Sequence, residues 1–277
     1  MLLLALDTST RQASVALCDE QMLYGEYTWQ IGNKHSVELL ERIQRLVVVD
    51  CGSSLQAIDG VTVAIGPGSF NGVRVAVATA KAFAFALQKP LVGVSTLEII
   101  AAQQDKWRGP VCSILEAGRS ELYAACYLFD ERDSNGEITH HIRQLSEYLM
   151  LSPQQLVTHL NEHINQWAGV PGKRQVSPIL FCGELSETTH QVIYEQMQGK
   201  SLFIDNLQAT RRASSLALLA MQRLDEGKIE DPMLLEPLYL RRPSITKSTR
   251  KQPLLGQKQN QSSDLNQTER EEGAVRH

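Results

Sequence analysis

Excess positive charge is missing from this chain. Its 277 residues carry 27 Lys and Arg against 31 Asp and Glu, a net charge of −4. Direct binding of phosphate backbones needs clustered basic groups, so the balance argues against a general nucleic-acid binder. It leaves room for work on RNA through a partner. Long apolar runs are missing too: none approaches the ~20 residues expected of a membrane span. The apolar start is cut by Asp7 and has no basic lead, so it does not read as a secretion signal. The cysteines at 18, 51, 112, 126 and 182 form no Cys-x-x-Cys pair. All but Cys51 sit in apolar strand-like runs, and reduced core thiols of a cytoplasmic protein are the expectation. No Gly-x-Ser-x-Gly elbow marks a serine hydrolase, and no Lys-Ser or Lys-Thr pair completes a P-loop. No short tandem repeat is present.

What is there suffices for two modest lobes, since 43% of the residues are hydrophobic. Strand-like runs fall at 2–7, 13–18, 22–29, 61–65 and 90–94, and helical spacing at 35–48, 72–87 and 96–104. Three strands and a helix, then two strand–helix steps, is the signature of a ribonuclease-H-like lobe. A second, less regular set gives strands at 111–116, 122–129, 179–182 and 201–204 and helices at 153–166, 187–197 and 211–226. A strand at 237–241 closes it. This order is compatible with a smaller, reduced copy of the first lobe, and sets expected boundaries at 1–108 and 109–243. Segments 145–151 and 170–178 read as surface connections. From Ser244 the chain turns to Lys, Gln, Ser, Glu and Arg. Such a stretch buries too little apolar surface to offset its ordering entropy, so 244–277 is expected to be disordered.

Two segments carry the candidate chemistry. Leu2–Leu6 reads as a buried strand ending in Asp7-Thr8-Ser9-Thr10, and a second strand follows. In the actin-like ATPase layout such a turn is the first phosphate loop, where the Asp organises a metal-bound water and the hydroxyls and N–H groups hold phosphate. A polar hairpin turn that satisfies only its own backbone is the plainer alternative. Gly66-Pro67-Gly68-Ser69-Phe70-Asn71-Gly72 then links a strand to an Ala-rich helix. Its glycines permit close backbone approach, and the N–H groups at the helix start could face an anion. A tight strand-to-helix turn explains the same residues.

Together these segments resemble the TsaB (YeaZ) family. Leu4-Ala5-Leu6-Asp7-Thr8-Ser9-Thr10, Lys34-His35-Ser36 and Gly66-Pro67-Gly68-Ser69-Phe70-Asn71-Gly72-Val73-Arg74 carry the likeness. Pro90-Leu91-Val92-Gly93-Val94-Ser95-Thr96-Leu97-Glu98 and Glu236-Pro237-Leu238-Tyr239-Leu240-Arg241 extend it to about residue 242. The resemblance implies an actin-like ATPase fold of two lobes, the second smaller and degraded. It implies a cytoplasmic, non-catalytic subunit of the machinery that makes threonylcarbamoyladenosine next to the tRNA anticodon. It further implies a heterodimer with a catalytic TsaD-like subunit, joined by a small TsaE-like ATPase, with tRNA met only within the complex and no membrane. Pairing is implied through the first two helices, with His35, Leu39, Arg42, Val73, Ala76, Val77 and Ala80 as the interface residues. Whether the free chain forms a homodimer through the same helices stays open.

The sequence departs from the family pattern in places. Asn71 stands where the family usually has Thr. The usual Asp-Ala-Arg of the second lobe reads Glu116-Ala117-Gly118-Arg119. Asp7, Ser9 and Glu116 are therefore vestigial phosphate-loop positions. The turn at Cys182-Gly183-Glu184 has one Gly where an adenosine site usually has two, and Cys182 and Glu184 narrow the space where a base would lie. No cofactor is expected, with weak nucleotide binding at the inter-lobe cleft or the partner interface left open. His159-Leu160-Asn161-Glu162-His163 fits His-x-x-Glu-His, but the apolar stripe Leu156, Leu160, Ile164 and Trp167 reads as a core helix flanked by two His, without a metal. An active kinase or ATPase of the same fold and a metallopeptidase are the two rival readings. Truncation after Pro243 is expected to leave the melting temperature almost unchanged. A loss of several degrees in a thermal melt would show that the tail docks.

Overall fold

A computed structural model describes residues 1–31, 35–134, 137–167, 177–205 and 209–241. Residues 168–176, which take in most of the expected connection 170–178, and the tail from 242 lie outside the described residues. Met1–Arg242 make one compact unit.

The first sheet is built from β1 (Leu3–Asp7), β2 (Gln12–Cys18), β3 (Leu23–Gln30), β4 (Gly60–Ala64) and β5 (Leu91–Val94). Its order is β3-β2-β1-β4-β5, with β1–β2 and β2–β3 antiparallel and β1–β4 and β4–β5 parallel. Helices α1 (His35–Gln44), α2 (Phe70–Leu87) and α3 (Thr96–Ala102) follow the third, fourth and fifth strands. The helix expected at 35–48 is α1 continued by a π-helical turn, Arg45–Asp50.

The second sheet repeats this winding with β6 (Val111–Gly118), β7 (Glu121–Ser134), β8 (Glu137–Gln144), β10 (Ile179–Glu184) and β11 (Ser201–Phe203). The order β11-β10-β6-β7-β8 is the first sheet's order read from the other edge, with the same parallel and antiparallel pairs. A short strand, β9 (Leu149–Leu151), pairs with β7 in the segment expected to be a surface connection. Helices α4 (Pro153–Trp167), α5 (Glu187–Met197) and α6 (Ala213–Asp225) follow in the same places as α1–α3. The strand expected at 237–241 does not form. Residues 233–241 run as a strap, with the Leu238 N–H on the Ile65 carbonyl (2.7 Å) and, just before the expected strand, Lys81 Nζ on the carbonyls of Met233 (3.4 Å) and Leu235 (3.1 Å).

Strand alternation assigns each layer. In β1, Leu4 and Leu6 meet α1 and α2 through Leu39, Ile43, Val73, Ala76, Val77 and Ala80, while Leu3 and Ala5 face α6 through Leu216, Ala217 and Ala220. In the second sheet Cys112, Ile114 and Phe181 meet α4 and α5, and Val111, Leu115 and Leu180 face α3. The two central helices thus cross over: α3 packs on β6 and β7, and α6 on β1 and β2. Each covers the sheet of the other half.

The glycine turn before α2 is a docking piece. A Cβ at Gly68 would lie 2.0 Å from the Ser9 carbonyl oxygen, and one at Gly72 would lie 2.0 Å from that of Thr8. The Ser9 carbonyl accepts the Ser69 N–H (2.6 Å), and the Thr8 hydroxyl donates to the Gly72 carbonyl (2.6 Å). Backbone cannot yield as a flexible side chain can, so Gly72→Ala should cost at least about 2–3 kcal/mol. The midpoint of urea unfolding measures this, and an unchanged midpoint would show that the turn does not rest on Thr8.

Candidate functional site

Period-2 alternation continues to the strand ends and decides which acids meet. Asp7 shares the inner face with Leu3 and Ala5, so it points toward α6. Glu116 shares the outer face with Cys112 and Ile114, so it points away, toward α5. Its Oε1 accepts the Ser186 N–H (3.0 Å) and the Thr189 hydroxyl (2.8 Å) and thereby caps α5. The cleft-facing positions on that strand hold Leu115 and Ala117. Asp7 and Glu116, paired in the sequence reading, therefore do not converge. The acid that joins Asp7 is Glu184, two residues beyond Cys182 on the inward row of β10.

Between them lies Arg211, which sequence reasoning missed. It is 1% exposed. Its Nε donates to Asp7 Oδ2 (2.9 Å), Nη1 to Glu184 Oε1 (2.6 Å), and Nη2 to Thr10 Oγ1 (2.7 Å) and the Gln12 carbonyl (2.9 Å). Burial by itself pulls the guanidinium's pKa down; the charges of Asp7 and Glu184 outweigh it and hold the pKa above its ordinary value. The other Asp7 oxygen accepts the Ser9 N–H (2.8 Å) and hydroxyl (2.6 Å), and the Thr10 hydroxyl donates a hydrogen bond to Glu184 Oε1 (2.6 Å). Arg211 reaches this place because α6 crosses to the first sheet. One signal was available. Arg211-Arg212 immediately precedes a helix, where the positive end of the dipole disfavours cations. Arg212 is exposed, so Arg211 is the one that needed an acid.

An actin-like ATPase would place a divalent metal and nucleotide phosphates here. The residues do not fit that group. Both Asp7 oxygens are engaged by the chain's own donors, and the Thr8, Ser9 and Thr10 side chains are each turned to an internal partner. The single glycine of the β10 turn is also accounted for internally: a Cβ on Gly183 would sit 2.1 Å from the Ile114 carbonyl oxygen. A cavity of about 430 Å³ lined by Met1, Tyr24, Cys51 and Asp59 lies at the start of β1, the opposite end from Asp7.

The interface residues named from the sequence fall in several places. Leu39, Val73, Ala76, Val77 and Ala80 are all buried in the chain's own core. Arg42 is half-buried, its guanidinium stacked over Trp29 (5.0 Å) and Tyr27 (5.6 Å). The His35 side chain lies outside the described residues. The exposed row of α2 is instead Asn71, Arg74, Ala78, Ala82, Phe85 and Ala86.

On α4 the two histidine rings lie side by side, tilted, with centroids 4.4 Å apart, and His163 stacks on Trp167 at 5.2 Å. His163 Nδ1 donates to the His159 carbonyl (2.8 Å). Among the described residues, no cluster of three or more His, Cys, Asp or Glu is placed to hold a metal. Burial, then the neighbouring His163, lowers the His159 pKa, against a smaller opposing effect of Glu162. A lowered folded-state pKa means that the fold favours the neutral ring. Its contribution is present above the unfolded value, near 6.5, and is lost as pH falls toward the folded pKa. In His159→Gln the fall in melting temperature between about pH 7 and 5 should be shallower than in the parent protein. Identical pH profiles would contradict this.

Comparison with known proteins fits this geometry. Residues 30–248 match the family model described as TsaD, tRNA N6-adenosine threonylcarbamoyltransferase. The Bacillus subtilis tRNA threonylcarbamoyladenosine biosynthesis protein TsaB is 30% identical over 241 residues, 87% of this chain and 94% of that protein. The Escherichia coli protein of the same name is 29% identical over 245 residues, covering 87% and 95%. A Pseudomonas aeruginosa crystal structure, described as a protein with similarity to the peptidase YeaZ, superposes with a TM-score of 0.66 at 28% identity, covering 87% of this chain and 99% of that one. On these grounds the chain belongs to the TsaD-type family and, within it, to the TsaB proteins of tRNA threonylcarbamoyladenosine biosynthesis.

Proposed function

We propose that this chain is a non-catalytic subunit of the tRNA threonylcarbamoyladenosine machinery, acting in the cytoplasm. It pairs with a TsaD-like catalytic subunit through the outward face of α1 and α2, and a TsaE-like small ATPase joins the pair. tRNA is met only within the complex. The observation that carries this reading is the uncovered apolar row of α2. Ala78, Ala82, Phe85 and Ala86 are exposed, and Leu40 of α1 is 50% exposed. By length and composition α2 would pass as a membrane-crossing helix. Here its Val73, Ala76, Val77 and Ala80 side is core, so the other side is a surface fit for one more layer of helices. Alanines at spacing i, i+4, i+8 permit close backbone approach.

The non-catalytic part of the reading is supported by the engagement of Asp7 with Arg211 and of Glu116 with the start of α5. An active kinase or ATPase would need the first of these free.

Ala82→Arg and Ala78→Arg should each weaken pairing with the TsaD-like subunit about 100-fold, equivalent to about 2.7 kcal/mol. Both should leave the melting temperature of the isolated chain nearly unchanged. Val77→Arg, which enters the core, should unfold it. Calorimetric titration with the catalytic subunit measures the affinity. Unaltered binding by both surface variants would exclude this face.

A further inference from the structure

We infer that Arg211 is the resident cation of the cleft: its guanidinium holds the position a divalent metal would take between Asp7 and Glu184, so the two halves close without metal or nucleotide. The oxygens around it are those a hard cation selects: a carboxylate from each of β1 and β10, the Thr10 hydroxyl and the Gln12 carbonyl, all within 2.6–2.9 Å of guanidinium nitrogens. The set is built, not adventitious. The Gln12 side chain also accepts the Arg211 backbone N–H (2.8 Å), which fixes the residue that carries the cation. Asp7, Thr10 and Arg211 are buried, so their partners come from the protein.

The charges oppose a second occupant. A second cation would meet the guanidinium at contact distance. A phosphate would meet two carboxylates of which only one charge is cancelled. The planar fork suits this role better than an ammonium would, because it reaches both carboxylates, the hydroxyl and the carbonyl at once. The assignment concerns the isolated chain and stands or falls independently of pairing with a catalytic subunit.

The test is thermal unfolding of the full-length protein. The parent protein should melt at the same temperature with and without millimolar Mg²⁺, Ca²⁺ or Mg²⁺ plus ATP. A stabilising shift of several degrees with any of them would overturn the assignment. Arg211→Ala should melt roughly 10 °C lower, because it leaves the buried Asp7 carboxylate with no cation, only its Ser9 hydrogen bonds. Free guanidinium at ~10 mM, or Ca²⁺ at the same concentration, should restore at least half of that loss while leaving the parent protein unmoved. Melting of Arg211→Ala at the parent temperature would overturn the assignment, as would a folded Arg211→Ala that neither cation restores. Should Arg211→Ala fail to fold, Arg211→Lys decides: a point charge cannot serve all four oxygens, so it should melt several degrees low, and parent-like melting would overturn the assignment.

Discussion

The fold meets its tightest constraint at the end of β1. Asp7 leaves the sheet on the inner face, and the segment that could cover it belongs to the far end of the chain. Arg211 arrives there ahead of α6, bonded to Asp7 at 2.9 Å and to Glu184 at 2.6 Å. One buried guanidinium, the buried Asp7 carboxylate and the half-exposed Glu184 carboxylate tie β1, β10 and the approach to α6 together. Such a cluster adds little net stability relative to a well-packed apolar replacement, because desolvating the ions offsets their attraction. Its effect is specificity: with Arg211 in place only one register of α6 against the first sheet leaves the acids partnered. The neighbouring contacts follow. Glu26 of β3 accepts the Ser214 N–H at 2.9 Å and caps α6, and the Gly66–Gly72 turn closes over Thr8 and Ser9. On the far side of the first sheet, α2 leaves Ala78, Ala82 and Phe85 exposed, the face proposed here for the partner.

Much of this was legible in the sequence. The order of strands and helices in both halves follows from period-2 and period-3.6 patterns, because each element has one face that must be buried. Where reading failed, the reasons are physical. The strand expected at 237–241 has the right apolar content, but the open edge of β5 is met instead by a bridge from Leu91 to Glu230 and by Arg223 on the Gly93 carbonyl, and the segment makes its backbone contact at Leu238, on the Ile65 carbonyl past the end of β4. β9 was missed because three residues give no period, and its identity as a strand comes from β7.

The site was legible only by halves. Asp7 at a strand end was visible, since an acid closing an apolar run is unusual. Glu116 was read by likeness and not by parity: counting alternation from Cys112 and Ile114 puts it on the α5 side. The same counting from Leu180 and Cys182 brings Glu184 inward. On α2, composition alone could not say which row faces the sheet, because the helix is apolar nearly all round. Val73, Ala76, Val77 and Ala80 take the inward side; the pair of β-branched residues Val73 and Val77 at spacing i, i+4 is the clue the pattern offered, against the outward Phe85. Arg211 has no local signature beyond its place before a helix, and its partners lie 204 and 27 residues away in sequence.

The central claim is that an internal cation closes the cleft, leaving the helix face as the working surface. Hydrogen exchange at the arginine side chain addresses it most directly. In ¹⁵N-labelled protein transferred to D₂O, the Arg211 Nε–H resonance should persist as long as the backbone amides of β1. Such a proton exchanges only when the unit opens as a whole. Its lifetime should not change on adding Mg²⁺ and ATP. Loss of that resonance within minutes, together with those of the exposed arginines, would contradict the account.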